Sequence, residues 1–282
     1  MAPPSSGLQN PNQPNSAQTA PPRWTHAKLQ DAQPVVWRAS AFSIYAQRLK
    51  EDLMLAHSVD RDQPNLATSP QPVNSLPLGL DWKRWALSLS DDHIAFKPAL
   101  PDRPIVVKTR TPVIVPPNAQ VSLFVSLPVW VEVSAGKSAS DLSPLEVFCT
   151  QKLSNTWYGT NFEGELCYAL KSRARRSLED LDDEPLRAVC RFSTRNRSEE
   201  ALPLEKIRVA PEHLAIYETK EHLWTTSLNV EFLGKDLPSR VTYESERPGE
   251  AKGGKLMREP AKSPKSASFL DHFVFKNLFH NA

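Results

Sequence analysis

The sequence predicts a mostly β protein: an antiparallel β-sandwich with a short N-terminal helix and a disordered N-terminal arm. Three observations carry this. Proline is abundant and glycine sparse, 26 against 9 in 282 residues, and interior proline removes a helical hydrogen bond and clashes with the preceding turn. Short β-branched runs edged by proline recur, as in Pro104-Ile105-Val106-Val107-Lys108 and Pro112-Val113-Ile114-Val115. Turn-forming clusters separate such runs at roughly 8–12 residues, the spacing of sandwiches and barrels.

Residues 1–34 are rich in Pro, Ser, Gln and Asn, with Trp24 as the one large apolar handle. A segment with so little to bury does not offset its ordering entropy, so it reads as a disordered arm. Residues 35–79 read as a helix and a Pro-rich linker. Phe42, Tyr45, Ala46, Leu49, Leu53 and Ala56 recur at three-and-four spacing, which places them on one helical face. Ser40 is the expected N-cap. Residues 80–246 read as the sandwich domain, one unit or two fused halves. Its strands are expected around Trp82–Leu89, 93–97, 104–108, 112–115, 121–125 and 129–133, then 145–149, 165–170, 186–192, 206–209, 214–217 and 223–232. In the sixth, Val129, Val131 and Val133 face one way and Trp130 and Glu132 the other. Residues 247–282 read as a basic flexible linker followed by an apolar end with Phe269, Leu270, Phe273, Val274, Phe275, Leu278 and Phe279.

Composition bounds the function classes. The formal net charge of +2 is too small to imply a nucleic-acid partner. Trp82 and Trp85 beside Lys83 and Arg84 could stack on bases, but without a basic face they read as core tryptophans. Cys149, Cys167 and Cys190 are odd in number and widely spaced, which argues against a disulfide framework or a zinc site. They read as reduced, buried thiols, and with no signal-peptide pattern at the N-terminus the expected compartment is cytoplasmic. The most apolar long window, residues 112–133, is broken by four prolines and reads as two strands rather than a membrane span. No HExxH, Gly-rich phosphate loop or Gly-x-Ser-x-Gly elbow is present, so no catalytic residue, metal ligand or cofactor is expected. Asn196-Arg197-Ser198 matches a glycosylation acceptor by chance.

Several stretches resemble a prokaryotic domain-of-unknown-function family, the one numbered four-three-two. They are Leu127-Pro128-Val129-Trp130-Val131, residues 153–159, residues 163–168, residues 196–207 and Leu223-Trp224-Thr225. The resemblance covers roughly residues 80–241. It implies no known activity, so it carries over no catalytic residue.

The densest candidate site is residues 155–165, which combine turn formers, the adjacent aromatics Trp157 and Tyr158, and the carboxylates Glu163 and Glu165. On one strand the two carboxylates would share a face about 7 Å apart, a separation suited to acid/base work on a glycosidic bond. The commoner reading is a hairpin whose Gly159 and Gly164 permit positive φ and whose aromatics cap the core or meet a partner. Lys171, Arg173, Arg175 and Arg176 precede an acidic run, Glu179 to Glu184. The two runs neutralise each other across a turn, or Arg173 and Arg176 contact a partner. The expected function is therefore a non-enzymatic interaction or regulatory module with an unidentified protein partner. Two alternatives stand beside it: a carbohydrate- or small-ligand-binding protein or hydrolase using the 157–165 loop, and a peripheral membrane protein using the basic, Phe-rich C-terminus.

Overall fold

Two β-sandwiches share one chain. The computed structural model describes residues 24–61, 65–159, 162–170, 174–181, 186–234, 237 and 239–263. In the first sandwich one sheet runs β5 (Asn65–Pro72), β2 (Val35–Ser40), β3 (Phe42–Leu49), β4 (Asp52–Val59) and β6 (Lys83–Ala86), antiparallel throughout. The other runs β1 (His26–Lys28), β7 (His93–Ala99), β10 (Trp130–Ser138) and β11 (Asp141–Phe148). Between them lie Trp37, Ile44, Leu53, Leu55, Phe96, Val131 and Val133. The Trp37 and Phe96 rings stack at 5.6 Å. Trp24, expected within a disordered arm, lies 5.5 Å from the Trp37 ring and packs on this core. The arm's remainder, 1–23, lies outside the described residues.

In the second sandwich one sheet runs β12 (Ser154–Gly159), β13 (Gly164–Leu170), β8 (Ile105–Val115) and β15 (Leu202–Val209). The other runs β19 (Arg240–Tyr243), β18 (Leu228–Phe232), β14 (Arg187–Asn196), β17 (Leu223–Thr225), β16 (Ile216–Glu218) and β20 (Lys255–Arg258), with β9 (Gln120–Pro128) also paired to β14. Val107, Leu170 and Ile207 from one sheet meet Leu123, Val125 and Phe192 from the other. Asn196, the formal glycosylation acceptor, is fully buried; its Nδ2 donates to the carbonyls of Val115, Pro116 and Glu200.

The mostly β reading holds, with two corrections. The sheets are not purely antiparallel, because β13 runs parallel to β8 and β14 runs parallel to β17 and β18. The expected N-terminal helix is also absent: among the described residues there is no α-helix, only three single 3₁₀ turns. Residues 42–56 form a hairpin instead. Lys50 takes positive φ at the reversal, its N–H held by Asp31, and Leu49 pairs with Asp52. Ser40, expected as an N-cap, turns the chain from β2 into β3 with φ of 53°. β3 is buried on both faces, Ile44 and Ala46 on one and Ser43 and Tyr45 on the other. Period-two alternation is therefore erased, and the apolar residues on either side of the turn fall at helical spacing. The boundary expected at residue 80 does not divide the chain either, since β2 to β6 form one wall of the first sandwich.

The sandwiches are pinned together by β20. Residues 247–263, expected as part of a flexible basic linker, form a 3₁₀ turn at Gly249–Ala251 and then β20. Arg247 donates to the Gly254 carbonyl, closing that turn. From β20, Arg258 Nη1 reaches Glu132 Oε2 at 2.7 Å on β10, in the other sandwich. Glu132 is buried and its second oxygen accepts from Ser134 Oγ. Arg258→Ala leaves that carboxylate buried without its cation. Because the arginine keeps some solvent contact, a loss of about 2 kcal/mol is expected in urea unfolding, below the roughly 3–5 kcal/mol of a fully buried pair. Glu132→Gln is expected to lose less, since the neutral amide keeps its shape and an acceptor.

Candidate functional site

The 157–165 stretch folds as the β12–β13 hairpin, paired without a register shift from Ser154–Ala169 to Gly159–Gly164. Strand alternation splits the adjacent aromatics. Tyr158 points inward and is buried with Cys167 in the second sandwich's core. Trp157 points outward and is 54% exposed. Across the pair, Leu166 stands directly opposite Trp157 and is 44% exposed. At the hairpin's end Phe162 is 98% exposed. Trp157, Leu166 and Phe162 thus form the apolar outer surface of one hairpin.

Two glycines fix the hairpin for different reasons. Gly159 has φ of 128°, and a β-carbon there would strike the Glu163 carbonyl. Gly164 is not at positive φ, contrary to expectation. Its role is space: a β-carbon would come within 2.6 Å of Trp157 Nε1 and 2.7 Å of the Tyr158 carbonyl. The indole lies across Gly164, which sets its outward position.

The two carboxylates stand in different settings. Glu163 sits in the exposed bend before β13. Glu165 is in β13, its Oε1 ion-paired with Nε of the nearly buried Arg208 on β15. The Glu165 carboxylate is thereby charge-compensated within the sheet. Arg173 lies outside the described residues, as do Lys171 and 182–184 of the acidic run. Arg176 is exposed, whereas Arg175 exchanges two backbone hydrogen bonds with Phe124 of β9. The charge clusters therefore flank a structural bridge. Sequence reasoning missed Phe162 and Leu166. Phe162, a lone apolar residue among turn formers, was the available signal.

The hairpin's root is braced. Tyr168 on β13 meets Trp130 edge-on at 5.9 Å, donates its hydroxyl to Asp102 Oδ1 at 2.8 Å, and carries the Arg103 guanidinium 5.5 Å from its ring. Burial, then the Asp102 carboxylate, pushes the Tyr168 phenol up to about 12. It remains a donor at neutral pH.

The cysteines differ. Burial raises Cys167 to about 12 and Cys190 to about 11. Cys149, expected buried, is exposed. A cavity of about 350 Å³ lies elsewhere, floored by Trp224 and lined by Lys220, Lys252, Glu221, Glu250 and His222. Its cations and anions balance. Among the described residues no cluster of three or more His, Cys, Asp or Glu could hold a metal ion, and no helix is long and apolar enough to cross a membrane.

A family model described as a protein of unknown function, DUF432, matches residues 24–276. The chain belongs to the DUF432 family. No curated protein and no solved structure matches it. The DUF432 match is wider than the 80–241 resemblance. It starts at Trp24, where the first core begins, and spans both sandwiches.

Two outcomes test this geometry. In the native protein one thiol, Cys149, is expected to react with Ellman's reagent at pH 8, slowly because burial and then the Asp102 and Glu146 carboxylates raise its pKa too, and all three after unfolding, because Cys167 and Cys190 are closed off from the reagent in the fold. Gly164→Ala is expected to cost about 1–3 kcal/mol by forcing atoms together, and to shift tryptophan emission as the indole is displaced.

Proposed function

We propose that this protein is a non-enzymatic interaction module: a rigid two-sandwich scaffold that presents the β12–β13 hairpin to a protein partner. The observation that carries this reading is the outward Trp157, Leu166 and Phe162 surface on a hairpin whose inner face is anchored in the core. Exposed aromatic residues on a preorganised element are what interface centres are made of, since ordering them costs little. Phe162 stabilises the fold little where it stands, because its side chain remains in water. Three free thiols fit the cytoplasmic compartment assumed here.

A small-ligand reading is favoured by a different feature, the cavity beside Trp224, whose volume is at the low end for such sites. Its balanced lining suits a zwitterion better than a sugar. The membrane-surface reading depends on the apolar C-terminal end, residues 268–282, which lies outside the described residues.

The test is quantitative co-purification from the native host, comparing the full chain with Trp157→Ala and Phe162→Ser. A partner near one-to-one with the wild type is expected to fall at least about tenfold with each variant, the loss of a central aromatic contact, with unchanged circular dichroism and melting. Equal recovery with folded variants would remove the hairpin from the interface.

A further inference from the structure

Val189 of β14 and Trp224 of β17 stand side by side in register, on the sheet face away from Cys190 and the second sandwich's core. Three turns converge over them. The first is the 3₁₀ turn Leu178–Asp180, where Ser177 Oγ accepts from the Glu179 N–H. The second joins β16 to β17 and is closed by hydrogen bonds between Thr219 and His222. The third is Gly249–Ala251, braced by Arg247 on the Gly254 carbonyl. Trp224 is buried beneath them with Val189 and Ala251, and the Phe124 ring meets it edge-on at 6.4 Å. The cavity of about 350 Å³ is the space between these turns.

Its walls are fixed by local chemistry. Gly254 lets the third turn close on the second, since a β-carbon there would come within 2.9 Å of the Ala251 carbonyl and 3.2 Å of the Thr219 methyl. A site whose walls are set beforehand spends little on ordering when a ligand enters. The lining combines an apolar floor with opposite charges. Trp224 and Leu178 supply the apolar part. The second turn brings Lys220 and Glu221, and the third brings Lys252 and Glu250. Each turn thus offers one cation and one carboxylate to the same space. A molecule with a carboxylate and an ammonium on a small apolar body answers all three features at once. The two ends are not held equally. Arg191 of β14 already pairs with Glu250, Nη1 to Oε1 at 3.2 Å. With Arg191 counted, three cations face two carboxylates, so the ligand's carboxylate is the end held harder.

We propose that this cavity binds a free α-amino acid with an apolar side chain. Its carboxylate lies between Lys220 and Lys252, its ammonium toward Glu221 and Glu250, and its side chain on Trp224 and Leu178. This rests on the small-ligand reading of the cavity, names the ligand's class and does not involve the hairpin. The third turn runs directly into β20, so the bound molecule ties the β16–β17 turn to the strand that pins the two sandwiches.

The test is isothermal titration of the full chain with each apolar α-amino acid. It is repeated with the amine and the acid that match the tightest binder but lack one charge. Saturable one-to-one binding in the micromolar to millimolar range is expected, because the four charged residues are exposed and water competes for them. The amine is expected to bind at least about tenfold more weakly and the acid about threefold. Lys220→Gln with Lys252→Gln, at exposed positions, is expected to cost at least about tenfold and Glu221→Gln about threefold, with unchanged melting in the absence of ligand. Melting of the wild type is expected to rise with amino-acid concentration. An acid that binds as tightly as the amino acid overturns the proposal and leaves the small-ligand reading standing. No binding by amino acid, amine or acid overturns both, as does binding that survives the double lysine variant.

Discussion

Val129 is the residue on which the two sandwiches turn. β9 and β10 form nearly one extended run, yet β9 belongs to a sheet of the second sandwich and β10 to a sheet of the first. Pro128 closes the ladder with β14, opposite Arg187, and Trp130 opens the ladder with β7, opposite Ala99. Between them Val129 belongs to neither ladder, and it is fully buried. An unpaired buried peptide group is costly, and both of its groups are met. Its N–H donates to the Leu186 carbonyl at 2.8 Å, and its carbonyl accepts from Thr150 Oγ1 at 2.8 Å. Its side chain joins Ala188, Ile216 and Leu223 in a small core at the junction. The chain can therefore change sheets without leaving a donor or acceptor stranded.

That junction also decides how firmly the hairpin is held. Trp130 follows Val129 directly, and its ring meets Tyr168 at the far end of β13 from the turn. Tyr168 in turn binds Asp102, in the connection from β7 to β8. The root of the hairpin is thus tied to both sandwiches. Its inner face is tied to the core through Tyr158 and Cys167 and to β15 through the Glu165 and Arg208 pair. The Trp157, Leu166 and Phe162 surface projects from a base with little freedom, so a partner meets a surface already ordered.

Much of this fold was legible because β-branched runs and proline edges report strands wherever one face is wet. Leu228, Val230 and Phe232 alternate with the half-buried Asn229 and Glu231 and form β18 as expected. Legibility failed where both faces are buried or where proline sits inside a strand. β3 is the first case. β8 is the second: the expected runs 104–108 and 112–115 are one strand, with Pro112 lying in the stretch where β8 loses register with β15 between Lys108 and Val113. Proline is tolerated there because the ladder is already broken and no partner awaits its missing N–H.

The candidate site was half legible for a related reason. Composition identified the aromatic and acidic residues, but a strand assigns neighbours to opposite faces, and only the core decides which face is which. Trp157 and Tyr158 look equivalent in sequence; the register with Cys167 and Leu166 makes one a core residue and the other a surface one. Glu163 and Glu165 look paired, but Arg208, forty-three residues further along, claims one of them. Long-range contacts of this kind are invisible to local pattern. They set Glu165 in a charge pair with Arg208 that no local pattern announces. What is left at the hairpin is apolar, outward and rigid. Such a surface costs solubility unless something covers it, and that physical cost is the strongest reason to look for what does.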